Sequence, residues 1–557
     1  MANQLVIKGG TVHDGTGAPG VRADVGIADG RITEIGANLA GEHVLDADDC
    51  VVAPGFIDIH THYDAQVFWD PALTPSCFHG VTTVVAGNCG FSIAPTRVEH
   101  RNLIARTLEN VEDMDVAALE AGIPWDFSTF PEYLASVARH GVGINFAAYI
   151  GHTALRLFVM GDDAYERTAT SEETVAMQRV LREAMESGAA GFATSFAMPH
   201  RGIDGKPVPS RFADRAEFEA LLETMGEVGR GVVSIAPGDP CPPAEMFDLQ
   251  MKVGIPFTWG ALLTSPTGYH RQALEANRAG WERGAEVWPQ VTPRPLMFQF
   301  TLDSPYPLAV NEHFAALQNA TLDERTRAYA DPAWRELMVQ GMGKEGSFGL
   351  RWDTYTIGES ATHPEYVDRA LADVATERGV TPIDCLLDLA LEEPGLALRV
   401  RTVIANDDEA GVADLLVDEH CVLGLSDAGA HAGQLCDAPQ ATDLLGNWVR
   451  DKGVMPMEQA IRKLSGAQAD LFGFADRGYL RPGAWADVAV FDPATVAPGP
   501  IRRVRDFPAN AERLTADQPI GMRHVVVNGT PIQVDGARTR AGDAGNTGQV
   551  VAPAARP

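Results

Sequence analysis

Apolar and polar positions change their rhythm twice along this chain. Through the first 53 residues they alternate in short bursts broken by Gly and Asp, which predicts strands at 4–8, 24–27, 31–35 and 51–53. The same rhythm returns near the end, at 486–491, 524–528 and 531–534. Between them lie eight β-prone apolar runs, at 55–59, 81–86, 143–149, 190–194, 232–236, 256–261, 286–291 and 421–425. Most are separated by stretches with Ala, Leu, Glu and Arg at helical spacing, such as 172–187 and 215–229. Strand–helix alternation implies parallel strands joined by crossovers. Eight such strands predict a closed (β/α)₈ barrel; the alternative, an open doubly wound sheet, lacks a GxGxxG after a strand.

The pattern therefore predicts an α/β protein with a TIM-like barrel over residues 54–474 and one β module built by both chain ends, 1–53 and about 475–535. The gap at about 295–418 is too long for one crossover and is expected to hold extra helices over the barrel mouth. The tail, 538–557, is rich in Gly, Ala and Pro and is expected to be disordered.

Composition narrows the class. A chain of 557 residues suits a large barrel with a smaller module, and 45% hydrophobic against 21% charged residues is globular. The seven cysteines are odd in number and form no CxxC pair, which argues for a reducing compartment. With 44 Lys+Arg against 75 Asp+Glu, the net charge of −31 repels phosphate backbones and anionic lipid. No nucleic-acid or membrane partner is expected. The first residues carry no basic, apolar leader, so a cytoplasmic location is expected. A homo-oligomer is left open.

Three strand ends carry chemistry. The run 55–59 ends in His60-Thr61-His62, and strand periodicity puts both imidazoles on one face. At the C-terminal mouth of a barrel strand that face can hold Zn²⁺ or a similar ion. The run 421–425 delivers Asp427 into a Gly-rich turn, where it could bind the metal and take a proton from bound water; alone, such an Asp would be a helix N-cap. Cys89 follows the run 81–86 and is either a thiolate ligand or a small buried residue. After the fourth run, His200 could reach the mouth and Arg211 could clamp an anion, or both could be loop bases in solvent. Phe68, Trp69 and Trp259 could wall a pocket or simply fill the core.

The segments KGGTVHDGTG, VVAPGFIDIHTHYD, GVTTVVAGNCGFSIAP, GHTALR, GLSDAGAH, LSGAQADLFGFADRGYLRPGAWADVAVFDP and HVVVNG run in order from about residue 5 to 530. In these the chain resembles the amidohydrolase superfamily, in its N-acyl-D-amino-acid deacylase branch. The resemblance implies a (β/α)₈ barrel beside a β-sandwich formed by both chain ends. It implies hydrolysis of an amide-type C–N bond by metal-activated water. His60 and His62 match the HxH ligands, Cys89 the metal-binding cysteine, and Asp427 the catalytic acid/base. His152, in the GHxxLR element, and His431, after Asp427, are candidate substrate-binding residues with His200 and Arg211. The branch places further metal-ligand histidines on strands five and six, where this chain has Ala236 and Ala261. It also carries a substrate-binding Arg after the catalytic Asp, where residues 431–436 have none. Three retained ligands, His60, His62 and Asp427, predict one zinc per chain and a small-molecule amide as substrate. A hydantoinase-like hydrolase of cyclic amides is the alternative within the enzymes; a metal-free binding or scaffold protein is the alternative outside them.

Overall fold

The computed structural model describes residues 3–317, 320–341 and 350–556. Its centre is one eight-stranded parallel sheet, whose strands we number β1 (Phe56–Asp58), β2 (Val81–Ala86), β3 (Asn145–Gly151), β4 (Gly191–Ser195), β5 (Val232–Ala236), β6 (Phe257–Trp259), β7 (Val287–Val291) and β8 (Val422–Leu423). They lie side by side in chain order. The edges meet where Thr61 bridges Ala428 in parallel, with the Asp427 N–H donating to the His60 carbonyl and the His62 N–H to that of Ala428. The sheet is thus curled into a TIM-like barrel, and its seam falls at the two motifs richest in chemistry.

Local sequence explains the outer helices. Helix Ser171–Ser187 opens with a reciprocal capping box between Thr170 and Glu173 and closes on Gly188 at φ +111°. A cap of this kind contributes about 1 kcal/mol. Helix Arg215–Val228 is capped by Asp214 and ends on left-handed Gly229. Inside the barrel, Ile57, Ile59, Val85, Tyr149 and Val232 pack with Phe472 and Phe474 into one core.

Strands from both chain ends share a second sheet of nine strands. The join is Val51–Pro54, paired antiparallel with Val488–Phe491. One side of this sheet, with Leu5, Ile7, Val25, Val488 and Val526, closes its own core. The other, with Val51, Ala53, Phe491 and Val525, packs into the core of the barrel. No described helix is long and apolar enough to cross a membrane.

Two expectations need correction. The segment at 295–418 holds helices, but also a three-stranded antiparallel sheet in which Arg399–Ala405 lies between Leu296–Thr301 and Thr356–Glu359. Phe300, Leu308, Tyr329, Leu386 and Val400 give it a separate core. Residues 318–319 and 342–349 of this segment lie outside the described residues. The tail from 538, expected to be disordered, is ordered through Arg556. Phe146 pairs its backbone with Gln549 and Val551, Gly473 accepts from Ala554, and Gly229 accepts from Arg556. Val551 packs into the barrel core beside Phe472 and Phe474. Small residues let the tail lie flat across the N-terminal end of the barrel, and backbone pairing supplies what side chains do not.

Candidate active site

The barrel seam assembles the site. His60 and His62, just beyond β1, are both buried, and their Nε2 atoms converge on Asp427 beyond β8. Asp427 Oδ1 lies 3.1 Å from His62 Nε2 and 3.4 Å from His60 Nε2. Gly429, at φ +96°, lets the loop pass this close, because a Cβ there would sit 2.7 Å from the His62 carbonyl oxygen. Cys89, beyond β2, adopts the left-handed region at φ +54° and brings Sγ within 3.7 Å of His60 Nε2. Ligand atoms of His60, His62 and Cys89 all lie within 4.8 Å of one another.

Two residues that sequence reasoning missed hold the imidazoles from behind. Gln290 on β7 accepts a hydrogen bond at its Oε1 from His60 Nδ1. That contact keeps the proton on Nδ1 and turns the Nε2 lone pair toward Asp427 and Cys89. Glu112, the last residue of helix Arg101–Glu112, places Oε1 3.4 Å from His62 Nδ1 and Oε2 3.9 Å from His431 Nε2. Gln290 had a legible signal, a polar residue in an apolar barrel strand. Glu112 had none, since it sits among polar residues of a helix whose partner is distant in sequence.

Burial dominates the electrostatics. It would raise the Asp427 carboxyl, but the imidazoles of His60 and His62 crowded against it outweigh burial and hold that group well below the usual carboxylate range. Burial, with the charge of Asp427 adding to it, pushes Glu112 well above the range. Burial also depresses His62, although Asp427 opposes the shift. It pushes the Cys89 thiol well up, helped by the charges of Glu112 and Asp427.

The remaining candidates separate. His200 lies on the site side, its Nδ1 2.5 Å from Ser195 Oγ; burial and neighbouring His431 press it down to about 3. His431 stacks edge-on against Phe298 at 5.3 Å, donates its backbone N–H to the Glu112 carbonyl and is lowered by burial to about 4. His152 does not line the cavity. It is fully buried, held between Thr194 Oγ1 and Glu217 Oε1 at 2.8 Å each, with Arg156 paired to the same Glu217. A buried ion-pair network has claimed it. Arg211 does not reach the cavity either; it donates to the carbonyls of Met198 and His200 and fixes that loop. Phe68 stacks on Phe127 and Trp259 is core, whereas Trp69 does wall the cavity.

On the opposite side of the mouth, β5 ends in the buried Ala236, and Ala261 follows β6. Neither can ligate. A Cβ on neighbouring Gly260 would lie 3.4 Å from His60 Cε1, so this side does face the site. Above His62 opens a cavity of about 490 Å³. Its walls come from the seam loop, from helix Arg101–Glu112 and its successor, from the 295–418 segment, and from Phe507 and Glu512.

The model of an amidohydrolase family matches residues 43–533. A D-aminoacylase of Alcaligenes xylosoxydans xylosoxydans is 30% identical over 96% of this chain and 95% of its own length. An N-acyl-D-glutamate deacylase of the same organism is 30% identical over 95% and 93%. Among solved structures, the N-acyl-D-glutamate deacylase of Bordetella bronchiseptica, complexed with zinc and a phosphonate mimic of the tetrahedral intermediate, superposes with a TM-score of 0.67. It is 29% identical and covers 99% of this chain and 100% of that one. A D-aminoacylase crystal structure gives a TM-score of 0.66 at 26% identity, covering 98% and 99%. Matched along nearly its whole length, the chain belongs to the amidohydrolase family.

Proposed function

We propose that this protein hydrolyses an N-acyl amine, of the kind its deacylase relatives are named for, with His60, His62 and Asp427 at the reacting centre. The protein is a metal-dependent amidohydrolase, acting on a C–N bond outside peptides. The observation that carries the residue assignment is the convergence of two imidazole Nε2 atoms on one carboxylate, beside a cavity that His62 lines.

The donor set fits a divalent ion such as zinc. Both ring nitrogens of His62 are buried and face carboxylates, Glu112 at 3.4 Å and Asp427 at 3.1 Å, without hydrogen-bond geometry to either; a neutral imidazole can donate to only one of them, so its other lone pair suits a cation. His60, His62 and Asp427 would hold the ion, with Cys89 beside them. When bound, such an ion polarises the scissile carbonyl and makes water acidic enough to react at neutral pH. The chain does the rest. Gln290 and Glu112 orient the two imidazoles. Asp427, ionised at neutral pH, accepts the proton of the attacking water and then delivers it to the leaving nitrogen, so one carboxylate serves both steps. The hydantoinase-like alternative requires a bridging lysine, and no lysine lines the described cavity.

We also read the curled sheet of both chain ends as a β-sandwich module, residues 1–53 with 475–535, beside a barrel body of 54–474. The test of function is a screen of zinc-loaded protein against N-acyl-D-amino acids, simple amides and cyclic imides, following release of free amine. Hydrolysis that a chelator abolishes and zinc restores is the expected result. Turnover unaffected by exhaustive metal removal, or confined to cyclic imides, would overturn this reading.

A further inference from the structure

The far side of the mouth is bare at its strand ends, but the loop after β4 brings it one imidazole. Phe196 donates its backbone N–H to the Ala236 carbonyl, which sets this loop beside the end of β5. His200 follows in the same loop, its ring edge-on to Phe91 at 5.2 Å, and Phe91 stands two residues beyond Cys89. The charge of Asp427 acts on that ring, as do the rings of His62 and His431. Cys89, His200, Gly260 and Ala261 are each only partly buried, so the mouth is open between His200 and the seam.

The loop fixes both the place of this ring and its tautomer. The His200 N–H donates to the Ala197 carbonyl, and Arg211 donates to the carbonyls of Met198 and His200. Ser195 Oγ lies 2.5 Å from His200 Nδ1 and accepts the Ala197 N–H at 3.2 Å. Among the described residues no other acceptor takes the Ser195 hydroxyl proton, so that proton goes to Nδ1. A neutral imidazole that accepts at Nδ1 carries its own proton on Nε2. Burial keeps the ring neutral throughout the range in which hydrolysis would run, so it is a standing donor and not a carrier of protons.

We infer that His200 is a further catalytic residue, whose Nε2–H donates a hydrogen bond to the carbonyl oxygen of the scissile amide from the far side of the mouth. The inference rests on the amide-hydrolase reading above and deepens it. As the water oxygen bonds to the carbonyl carbon, the C=O π pair moves onto the carbonyl oxygen and the water gives one proton to Asp427. Negative charge grows on that oxygen, and a donor already fixed in place stabilises it more than it stabilises the starting carbonyl. On collapse the pair returns to C=O, the C–N bond breaks, and Asp427 passes its proton to the nitrogen. His200 keeps its own proton throughout. The methyl groups of Ala236 and Ala261 leave the substrate room to reach this ring.

The experiment compares the wild type with His200→Leu, His200→Gln and Ser195→Ala. Two readouts need no turnover. Nitrogen-15 NMR of the imidazole reports its tautomer. Calorimetry on the zinc-loaded protein reports binding of methylphosphonate, whose oxygens imitate those of the tetrahedral intermediate. The Nε2–H tautomer is expected in the wild type, and methylphosphonate should bind about tenfold more weakly to H200L with zinc affinity unchanged. For an amide that the wild type hydrolyses, kcat should fall by roughly 10²–10³-fold in H200L while KM moves less than about threefold. H200Q, which can still donate, should recover part of the loss, and S195A, which frees the tautomer, should lose less than H200L. An Nδ1–H tautomer, unchanged kcat in H200L, zinc lost from H200L, or methylphosphonate bound equally by H200L or not at all by the wild type would each overturn the inference. The parent reading fails separately. Methylphosphonate held through His200 without hydrolysis of any amide sinks the hydrolase reading alone, and hydrolysis with an Nδ1–H tautomer sinks the His200 role alone.

Discussion

The two sides of the barrel mouth have the same backbone architecture and opposite equipment. On the seam side, strands β1, β2 and β8 deliver His60, His62, Cys89 and Asp427, and Gln290 and Glu112 brace the imidazoles. On the far side, β5 ends in Ala236 and Ala261 follows β6. The difference teaches that one barrel mouth can gather braced polar side chains on one side and end its strands in methyl groups on the other, with the same sheet beneath both. Chemistry belongs to side chains at the mouth, whereas the sheet draws its stability from the packed interior below.

The largest expected effect breaks the equipped side directly. Asp427→Asn keeps shape and hydrogen-bonding capacity but cannot take a proton at neutral pH. Turnover should fall by roughly 10²–10⁴-fold while the melting temperature stays within a few degrees. A mere helix cap would predict little change in either, since Asn caps about as well as Asp.

Next comes Gln290→Leu, similar in size but unable to accept from His60 Nδ1. Zinc affinity, measured by competition with a chelator, should drop about 10–100-fold, as it does when an outer partner of a metal-binding histidine is lost. Unchanged affinity would mean that the seam orients His60 unaided. Glu112→Ala should weaken zinc by about tenfold, less than Gln290→Leu, because its contact with His62 is the longer one at 3.4 Å. Partial rescue by Glu112→Gln would identify the contact, not the space, as the cause.

How much of this was legible beforehand follows from range. The HxH pair, Cys89 and Asp427 could be read because each sits at the end of an apolar run, where periodicity fixes the side chain's direction. The eight barrel strands were legible for the same reason. His152 misled because a motif position says nothing about Glu217 and Arg156, which meet it only in the fold and draw it into the interior. Glu112 was invisible because its role depends on a helix end reaching a strand end fifty residues earlier. The ordered tail was misjudged because its stability comes from backbone pairing with Phe146, which composition cannot show.

The smallest expected effect sharpens the contrast from the bare side. Ala236→His combined with Ala261→His should add a second, weaker zinc without changing the melting temperature much. A mouth that still binds no second ion would show that more than two imidazoles separates the two sides.

The most direct test of the central claim is the zinc stoichiometry of the metal-stripped wild-type protein, titrated with zinc and followed by calorimetry with elemental analysis. One tightly held ion per chain is expected, lost in a His60→Ala, His62→Ala double variant. Two ions held with equal affinity, or none at all, would contradict it.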